Sequence, residues 1–568
     1  MEIFGYVCLA LIGALWVRKL QVRLRLSRAK HPSIQGHAKI SRRLARLVPF
    51  YEYGQEEAFA SDDAPADIVL KRQRAFARLS QDSRTRAEQS VAFSRGLEGQ
   101  LSDMQFTNAY RVPFQYRRLV RDQLHVPGVA IASDGVRLQN LDGDWAYDLG
   151  GSYGVNLMGY DVYKQCIERG TRRVQDLGPV LGPYHPLIAE NVAWLCELSG
   201  MDQVSFHMSG TEAVMQAVGL ARYHTRRSHL VLFCGAYHGW WDGVQPGVGG
   251  QRRSDDIYML KENSADTLRV LETRHDIACV LINPLQSLHL NRGASSDAML
   301  IASARDVEFE RDAYRRWLAD LRDVCTRRGI VMIMDEVFLG FRLGPGGAQE
   351  YFSVQADMVT YGKTVGGGLP VGVLCGKAKL MQRYREEAPT DICFARGTFN
   401  SHPYVMAAMN EFLQIALSPE FAAESQRALG VWDTRAAEFN RQCRLARLPL
   451  RVHNFASVWV LTYTQPSRFN WMLQYYLRAE GLALSWIGTA RFIFSHNYTD
   501  ADFAEVMRRF LVAAQRMESD GWWYVPEGQT DQSIKQRVMR ELLHQRFNRF
   551  WPRSAVRQHK ALDPSTLP

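Results

Sequence analysis

Six short apolar segments, separated by stretches of helical periodicity, constrain the fold of this chain more than any other feature. They read VSFHM, HLVLFC, ACVLINP, IVMIMDE, DMVTYG and VGVLCG, and all lie between residues 204 and 376. Strands that are apolar along their length and alternate with helices form a mostly parallel sheet with helices on both faces. We therefore predict an α/β fold, with ligand sites at the carboxyl ends of the strands.

The positive charge of the chain is concentrated near its beginning. The formal net charge is +10, and residues 1–120 carry 20 Lys and Arg against 11 Asp and Glu, a surplus of nine. The remainder is close to neutral, so we expect no nucleic-acid partner. A basic N-terminal region followed by a nearly neutral remainder favours contact with a membrane surface.

The first residues combine an apolar run with a basic flank. The run IFGYVCLALIGALWV covers residues 3–17, and ten Lys or Arg with no acidic residue follow between Arg18 and Arg46. A spanning helix needs about 20 apolar residues, so this run is slightly short. We predict an uncleaved membrane anchor with the body of the protein on the cytoplasmic side, and an interfacial or protein-packed helix is the alternative.

Two charged residues directly follow predicted buried strands. Lys363 follows DMVTYG and begins KTVGGG, whose glycines let the backbone approach a ligand closely. Asp335 ends the apolar run IVMIMD, where an unpaired carboxylate is costly. Each has an ordinary interpretation when taken alone, as a solvated lysine and as a carboxylate capping the next helix.

Two further strand ends add ligand contacts. VSFHM ends at Ser209-Gly210-Thr211, where a helix begins; its free N–H groups suit an anion, although an ordinary cap is the alternative. Tyr237 and His238 follow HLVLFC, where an aromatic ring can stack on a planar ligand. An amine, an acid, an anion cradle and an aromatic wall at successive strand ends predict pyridoxal 5′-phosphate as the cofactor. The nine scattered cysteines show no CxxC pair and no metal-ligand spacing.

The motifs SGTEA, YHG, DEV with GFR, YGKTVGGGLPVG and GTF resemble those of the class III (fold type I) aminotransferases over roughly residues 126–522. The resemblance is strongest to the glutamate-1-semialdehyde aminomutase-like branch, including aminotransferase modules of lipopeptide, polyketide and prodigiosin-type pathways. It implies a large domain with a seven-stranded, mostly parallel sheet, a smaller α+β domain, and a homodimer with shared active sites.

The resemblance also implies roles for individual residues. Lys363 would hold the cofactor as a Schiff base and move the Cα proton, and Asp335 would pair with the pyridine nitrogen. The other implied cofactor contacts are Ser209, Gly210, Thr211, Tyr237, His238, Val337 and, from the neighbouring subunit, Gly397 and Thr398. One departure is Asn283 of Asn-Pro-Leu, where relatives usually carry Glu-Pro-Val.

The expected organisation follows from these motifs. It consists of an apolar helix (1–17), a basic helix-rich spacer or cover (18–125), a segment contributing to the small domain (126–190), the large cofactor-binding domain (191–395), the C-terminal small domain (396–521) and a basic tail (522–568).

The predicted reaction is transfer of an amino group from an amino acid donor to a carbonyl acceptor. Because a membrane anchor is expected, the acceptor would be lipophilic or carrier-bound, such as a long-chain aldehyde or a β-keto acyl group. Arg342 and Arg396 are candidates for gripping the donor carboxylate, with a structural ion pair as the alternative for each. An aminomutase, which moves the amine within one molecule, is the alternative reaction, and a scaffold that has lost its chemistry is a third possibility.

Overall fold

The computed structural model describes residues 2–31, 36–126, 128–250, 252, 254–289, 296–301, 303 and 310–547. Residues 548–568, the second part of the expected basic tail, lie outside this range. Seven helices precede the first strand: α1 (Glu2–Ala29), α2 (Ala38–Ala45), α3 (Gln55–Phe59), α4 (Ala66–Arg86), α5 (Glu88–Glu98), α6 (Ser102–Tyr110) and α7 (Arg117–Gln123).

The region from α3 to α7 is packed into the body of the protein. Its buried aromatic residues, among them Phe76 and Tyr116, share a hydrophobic core with Trp471 and Trp522 from the C-terminal part. The buried Arg72 donates two hydrogen bonds to Asp62, at 2.7 and 2.8 Å. The region from α3 to α7, for which a spacer or a cover was expected, therefore covers the C-terminal part of the chain.

A short meander and two helices lead to the central sheet. The strands of this meander, β1 (Ala132–Asp134), β2 (Arg137–Gln139) and β3 (Trp145–Asp148), are antiparallel. Helices α8 (Tyr160–Val174) and α9 (Ile188–Ser199) follow. A 3₁₀ turn over Gly151–Gly154 lies between β3 and α8 and puts Ser152 and Tyr153 at positive φ.

The central sheet has seven strands in the order β4-β10-β9-β8-β7-β5-β6. β10 alone among them runs antiparallel to its neighbours, so the expected mostly parallel α/β sheet is confirmed. Every residue of β7 to β10 is buried, which explains their continuous apolar sequences. β6 was not among the six segments recognised in the sequence. The strands are β4 (Gln203–His207), β5 (His229–Phe233), β6 (Ile257–Leu260), β7 (Ile277–Ile282), β8 (Val331–Asp335), β9 (Met358–Gly362) and β10 (Gly372–Gly376).

Helices connect these strands, and the remaining elements complete the C-terminal part. The connecting helices are α10 (Gly210–Thr225), α11 (Ala265–Thr273), α12 (Arg311–Arg328) and α13 (Gly347–Phe352). After β10 come α14 (Ala378–Met381), α15 (Pro403–Ala416), α16 (Pro419–Leu445), β11 (Leu450–Phe455), β12 (Val458–Tyr463), α17 (Leu473–Ala479), β13 (Leu482–Ala483), β14 (Phe492–Ile493), α18 (Asp500–Ser519) and α19 (Asp531–Phe547). β13 joins β3 in parallel, and β11, β12 and β14 form a third sheet.

The structure of α1 corrects the prediction of a membrane-spanning anchor at residues 1–17. Across the described part of the chain, none of the helices combines the length and the apolar character that a membrane crossing needs. The apolar run ends at Val17, and five cationic residues occupy the second half of α1. The end of α1 is fixed to the protein, because Lys261 donates a backbone hydrogen bond of 2.8 Å to the Ala29 carbonyl.

Candidate active site

Two neighbouring strands of the central sheet bring Asp335 close to Lys363. Asp335 is the last residue of β8 and pairs in register with Thr360 of β9. The chain leaves β9 at Gly362, and Lys363 begins a 3₁₀ turn with φ of 52°. This left-handed conformation is unfavourable for lysine, and such strain is found mainly where the surrounding structure fixes a functional side chain.

Asp335 is a buried carboxylate with several hydrogen-bond donors around it. Its side chain is only 2% exposed. Nδ1 of His238 lies 2.6 Å from Oδ2, and the backbone N–H of Val337 donates to Oδ1 at 3.1 Å. Thr360 Oγ1 makes a longer contact with Oδ1, at 3.4 Å. These contacts fix the orientation of the carboxylate.

The amine of Lys363 is held in a setting that favours its neutral form. Burial lowers its pKa, the negative charge of Asp335 opposes this shift, and the positive charges of Arg491 and Arg342 add to it. Nζ lies 5.4 Å from the centre of the Phe338 ring. A lysine with a lowered pKa has a larger neutral fraction, and the neutral amine is the form that acts as a nucleophile or base.

Close packing of glycines joins three loops beside these residues. A Cβ on Gly210, the first residue of α10, would come within 2.6 Å of Val337 Cγ1. A Cβ on Gly239, which has a φ of +91°, would come within 2.6 Å of Thr211 Oγ1. The start of α10, the turn after β5 and the residues after β8 are therefore in contact, as a shared ligand cradle requires.

The start of α10 keeps N–H groups without a helical acceptor. Ser209 caps the helix, because its hydroxyl accepts a hydrogen bond from Glu212 N at 3.3 Å. The Ser209 hydroxyl therefore makes an ordinary helix-capping contact, which the sequence analysis gave as the alternative to an anion site. The first-turn N–H groups of Gly210 and Thr211 have no partner within the helix, so they are available to an anion, as the sequence predicts.

The other predicted residues differ in their exposure. His238 is buried against Asp335, whereas the Tyr237 side chain is 63% exposed. Arg396, Gly397 and Thr398 lie on the surface, away from the core of this chain.

Arg342 does not fit the proposed role of a free carboxylate grip. It is 1% exposed and donates to Ser457 Oγ at 2.6 Å and to the Phe494 carbonyl at 2.8 Å, with a longer contact to the Gly154 carbonyl. Burial lowers its pKa to about 10. The guanidinium joins three separate segments, so the geometry favours a structural role, although its partners are neutral acceptors and it forms no ion pair with any described residue.

The structure adds residues that the sequence gave no reason to select. Phe338 and Arg491 lie near Lys363. Arg491 comes from a segment more than 100 positions further along the chain, and burial lowers its pKa to about 10. A single arginine before a two-residue strand has no local signature, so only the tertiary fold reveals it. Asn283, at the end of β7, accepts a hydrogen bond from Leu285 N at 3.1 Å and so holds its own turn.

Comparison with known proteins agrees with this geometry. The family model for Aminotransferase class-III matches residues 120–245 and 311–513, more than half of the chain. Glutamate-1-semialdehyde 2,1-aminomutase of Hyperthermus butylicus is 32% identical over 319 residues, covering 52% of this chain and 69% of the relative. The protein of the same name from Methanothermobacter thermautotrophicus is 33% identical over 304 residues, covering 51% and 67%.

Solved structures with low sequence identity share the fold. A transaminase with PLP bound superposes with a TM-score of 0.59 at 22% identity, covering 70% of this chain and 93% of the other. A glutamate-1-semialdehyde aminomutase from Pseudomonas aeruginosa gives a TM-score of 0.62 at 17% identity, covering 79% and 99%.

Proposed function

Because this chain belongs to the class-III aminotransferase family and pyridoxal 5′-phosphate is its cofactor, we propose that it is a transaminase acting on an amino acid donor and a carbonyl acceptor. The observation that carries the proposal is the buried amine of Lys363 beside the buried carboxylate of Asp335, at the ends of two adjacent parallel strands. The amine would hold the cofactor aldehyde, and the carboxylate would face its ring nitrogen.

The residues of the pocket fit this cofactor. Gly210 lies against Val337 and Gly239 lies against Thr211, with no room for a side chain at either glycine, so the N-terminus of α10 contacts the residues after β8 and after β5. The N–H groups of Gly210 and Thr211 would bind the phosphate. When bound, the cofactor withdraws electrons from the substrate carbon that carries the amine, which makes the Cα proton acidic.

Lys363 would move that proton. Burial and the nearby arginines lower the pKa of its amine, so the neutral base is available at a smaller energetic cost than on a surface lysine. The left-handed backbone of Lys363 aims its side chain from the end of β9. Asp335 would keep the ring nitrogen protonated, and His238 would hold Asp335 in place through the 2.6 Å contact.

The transaminase proposal is tested with the purified holoenzyme and a panel of amino acid donors. We expect at least one donor to change the cofactor absorption spectrum without any acceptor present, and a carbonyl acceptor to reverse that change. Lack of a spectral change with every donor, while the cofactor remains bound, would count against a transaminase.

An aminomutase is the second candidate, and it is supported by the names of the curated relatives at 31–33% identity. Both reactions need Lys363 and Asp335, so the structure of the pocket does not separate them. Product formation from a single amino-carbonyl substrate, with no external donor consumed, would favour the aminomutase.

We also propose that the active enzyme is a homodimer in which Gly397 and Thr398 reach the phosphate of the partner's cofactor. Their surface position in a single chain supports this arrangement. Mixing Lys363→Ala with Thr398→Val subunits tests it. Shared sites predict that mixed dimers recover activity, because one of their two sites then has both native residues, whereas unshared sites predict no recovery.

A further inference from the structure

A cavity of about 340 Å³ lies outside the cofactor pocket, among the N-terminal helices. Its walls come from α5, α6 and α7, with Tyr475 of α17 on one side. We call it the arginine-lined cavity, after lining residues Arg95, Arg111, Arg117 and Arg121. It shares no lining residue with the Lys363 pocket, and its volume lies in the range of small-molecule sites.

The charge of this cavity is unbalanced. Its four arginines face two acidic lining residues, Glu52 and Glu98. Arg121 forms an exposed ion pair with its neighbour Asp122, at 3.2 Å. Arg95 donates to the ring of His125. Neither contact adds an acidic group to the interior of the cavity.

Arg111 and Arg117 retain donor capacity. The described residues offer the Arg111 guanidinium no hydrogen-bond acceptor; the contact of this residue with Gln474 is made by its backbone carbonyl. The Arg117 guanidinium lies 5.4 Å from the Tyr110 ring centre, and its Nε is buried without a partner in the described part of the chain. Ser94 Oγ, on the same cavity, is also buried and unpartnered within that part.

A second half-buried arginine, Arg478, adds to the positive potential behind the cavity. Burial lowers the pKa of Arg111, and burial together with Arg111 lowers the pKa of Arg478 to about 9. Asp297 offsets part of this charge, but burial raises its own pKa to about 7. A buried guanidinium without an anion is costly, and a bound anion would remove that cost.

We propose that the arginine-lined cavity binds a small organic anion, a carboxylate or a phosphate ester, whose charge pairs with Arg111 and Arg117 and whose apolar body contacts Val112, Val120 and Leu124. These three side chains are buried and line the cavity. The guanidinium fork suits both oxyanions, so the two chemistries are separated by experiment. This site is additional to the cofactor pocket and does not depend on the proposed reaction.

The test is calorimetric titration of the full-length holoenzyme with octanoate, octyl phosphate, inorganic phosphate and octanol. We expect saturable binding of octanoate or octyl phosphate, whichever head group the site prefers, and at least tenfold weaker binding of inorganic phosphate and octanol. Arg111→Met should weaken binding of the preferred anion at least tenfold. The matched control is Arg118→Met on α7, because Arg118 is exposed and does not line the cavity.

Two further variants keep the test decisive. Arg117→Met should also weaken binding, which covers the case in which Arg111→Met does not fold. Lys363→Ala should bind the anion normally, so failure of the transaminase proposal leaves this one intact. Equal binding of octanol and octanoate, unchanged affinity in both folded cavity variants, or no saturable binding of either amphiphilic anion would overturn the proposal.

Discussion

The Lys363 pocket and the arginine-lined cavity differ in whether their charged side chains have hydrogen-bond partners. In the Lys363 pocket, His238 and Val337 contact the carboxylate of Asp335, and the terminal N–H groups of Arg342 nearby have acceptors, whereas its Nε has none among the described residues. In the second, Arg111 has no acceptor among the described residues, and Arg478 behind it carries the same charge. Satisfied charges hold a preformed geometry, whereas an unsatisfied charge at a cavity indicates a binding partner.

The largest expected effect is that of Lys363→Ala, which removes the amine from the Lys363 pocket. We expect turnover to fall by more than the roughly 10²–10⁴-fold that a positioned base supplies, because the attachment of the cofactor is lost as well. Steady-state kinetics and the visible spectrum of the purified protein measure the change. Lys377→Ala is the control, since Lys377 is an exposed lysine at the end of β10 paired with Asp357. Normal turnover in Lys363→Ala would remove the proposed site.

Arg342→Met and Arg111→Met test whether an arginine that has hydrogen-bond acceptors contributes more to stability than an arginine that has none among the described residues. The first change leaves the carbonyl of Phe494 and the hydroxyl of Ser457 buried without their donor, at a cost of about 3 kcal/mol. The second removes a cation that has no described acceptor, so we expect a change of less than about 1 kcal/mol.

Thermal unfolding of the two holoenzymes measures this difference. Arg342→Met should lower Tm by several degrees, and Arg111→Met should leave it nearly unchanged. A large loss of stability in Arg111→Met would show that this guanidinium has a structural role, and the comparison between the two regions would then fail.

A smaller effect is expected for His238→Leu, which removes the 2.6 Å contact to Asp335. A hydrogen bond to a charged group contributes about 1.5–3 kcal/mol, so kcat should fall by roughly 10- to 100-fold. His238 acts through Asp335, so we expect KM for the donor to stay nearly constant while the cofactor spectrum shifts. His238→Gln, which keeps a donor, should restore part of kcat; a change confined to KM would contradict this role.

The sequence predicted those parts of the molecule whose chemistry is local. Asp335 ends one fully buried strand and Lys363 directly follows another, so the strand pattern alone placed them at one edge of the sheet. β6 was missed because its burial alternates between half-buried and buried residues, so it lacks the continuous apolar run of the inner strands.

What the sequence did not predict depends on contacts between distant segments. Arg491 approaches Lys363 from far along the chain, and the role of Arg342 is defined by Gly154, Ser457 and Phe494, which no motif connects. The helices before residue 125 were predicted to be a spacer or a cover, and their irregularly spaced apolar residues did not distinguish between the two. They bury aromatic side chains against a partner surface from the C-terminal part, and that surface is formed only in the folded protein.

The smallest expected effect is that of Thr360→Val, which removes the other side-chain contact to Asp335. Thr360 Oγ1 lies 3.4 Å from Oδ1, near the limit of a hydrogen bond, whereas His238 lies 2.6 Å from Oδ2. Since valine has nearly the same shape and hydrogen bonds weaken at this distance, kcat should fall by less than about threefold. The double variant with His238→Leu should be no worse than the product of the two single effects, if each donor acts on its own carboxylate oxygen. A Thr360→Val defect as large as that of His238→Leu would show that the orientation of Asp335 depends on the sheet side of the pocket as much as on the histidine.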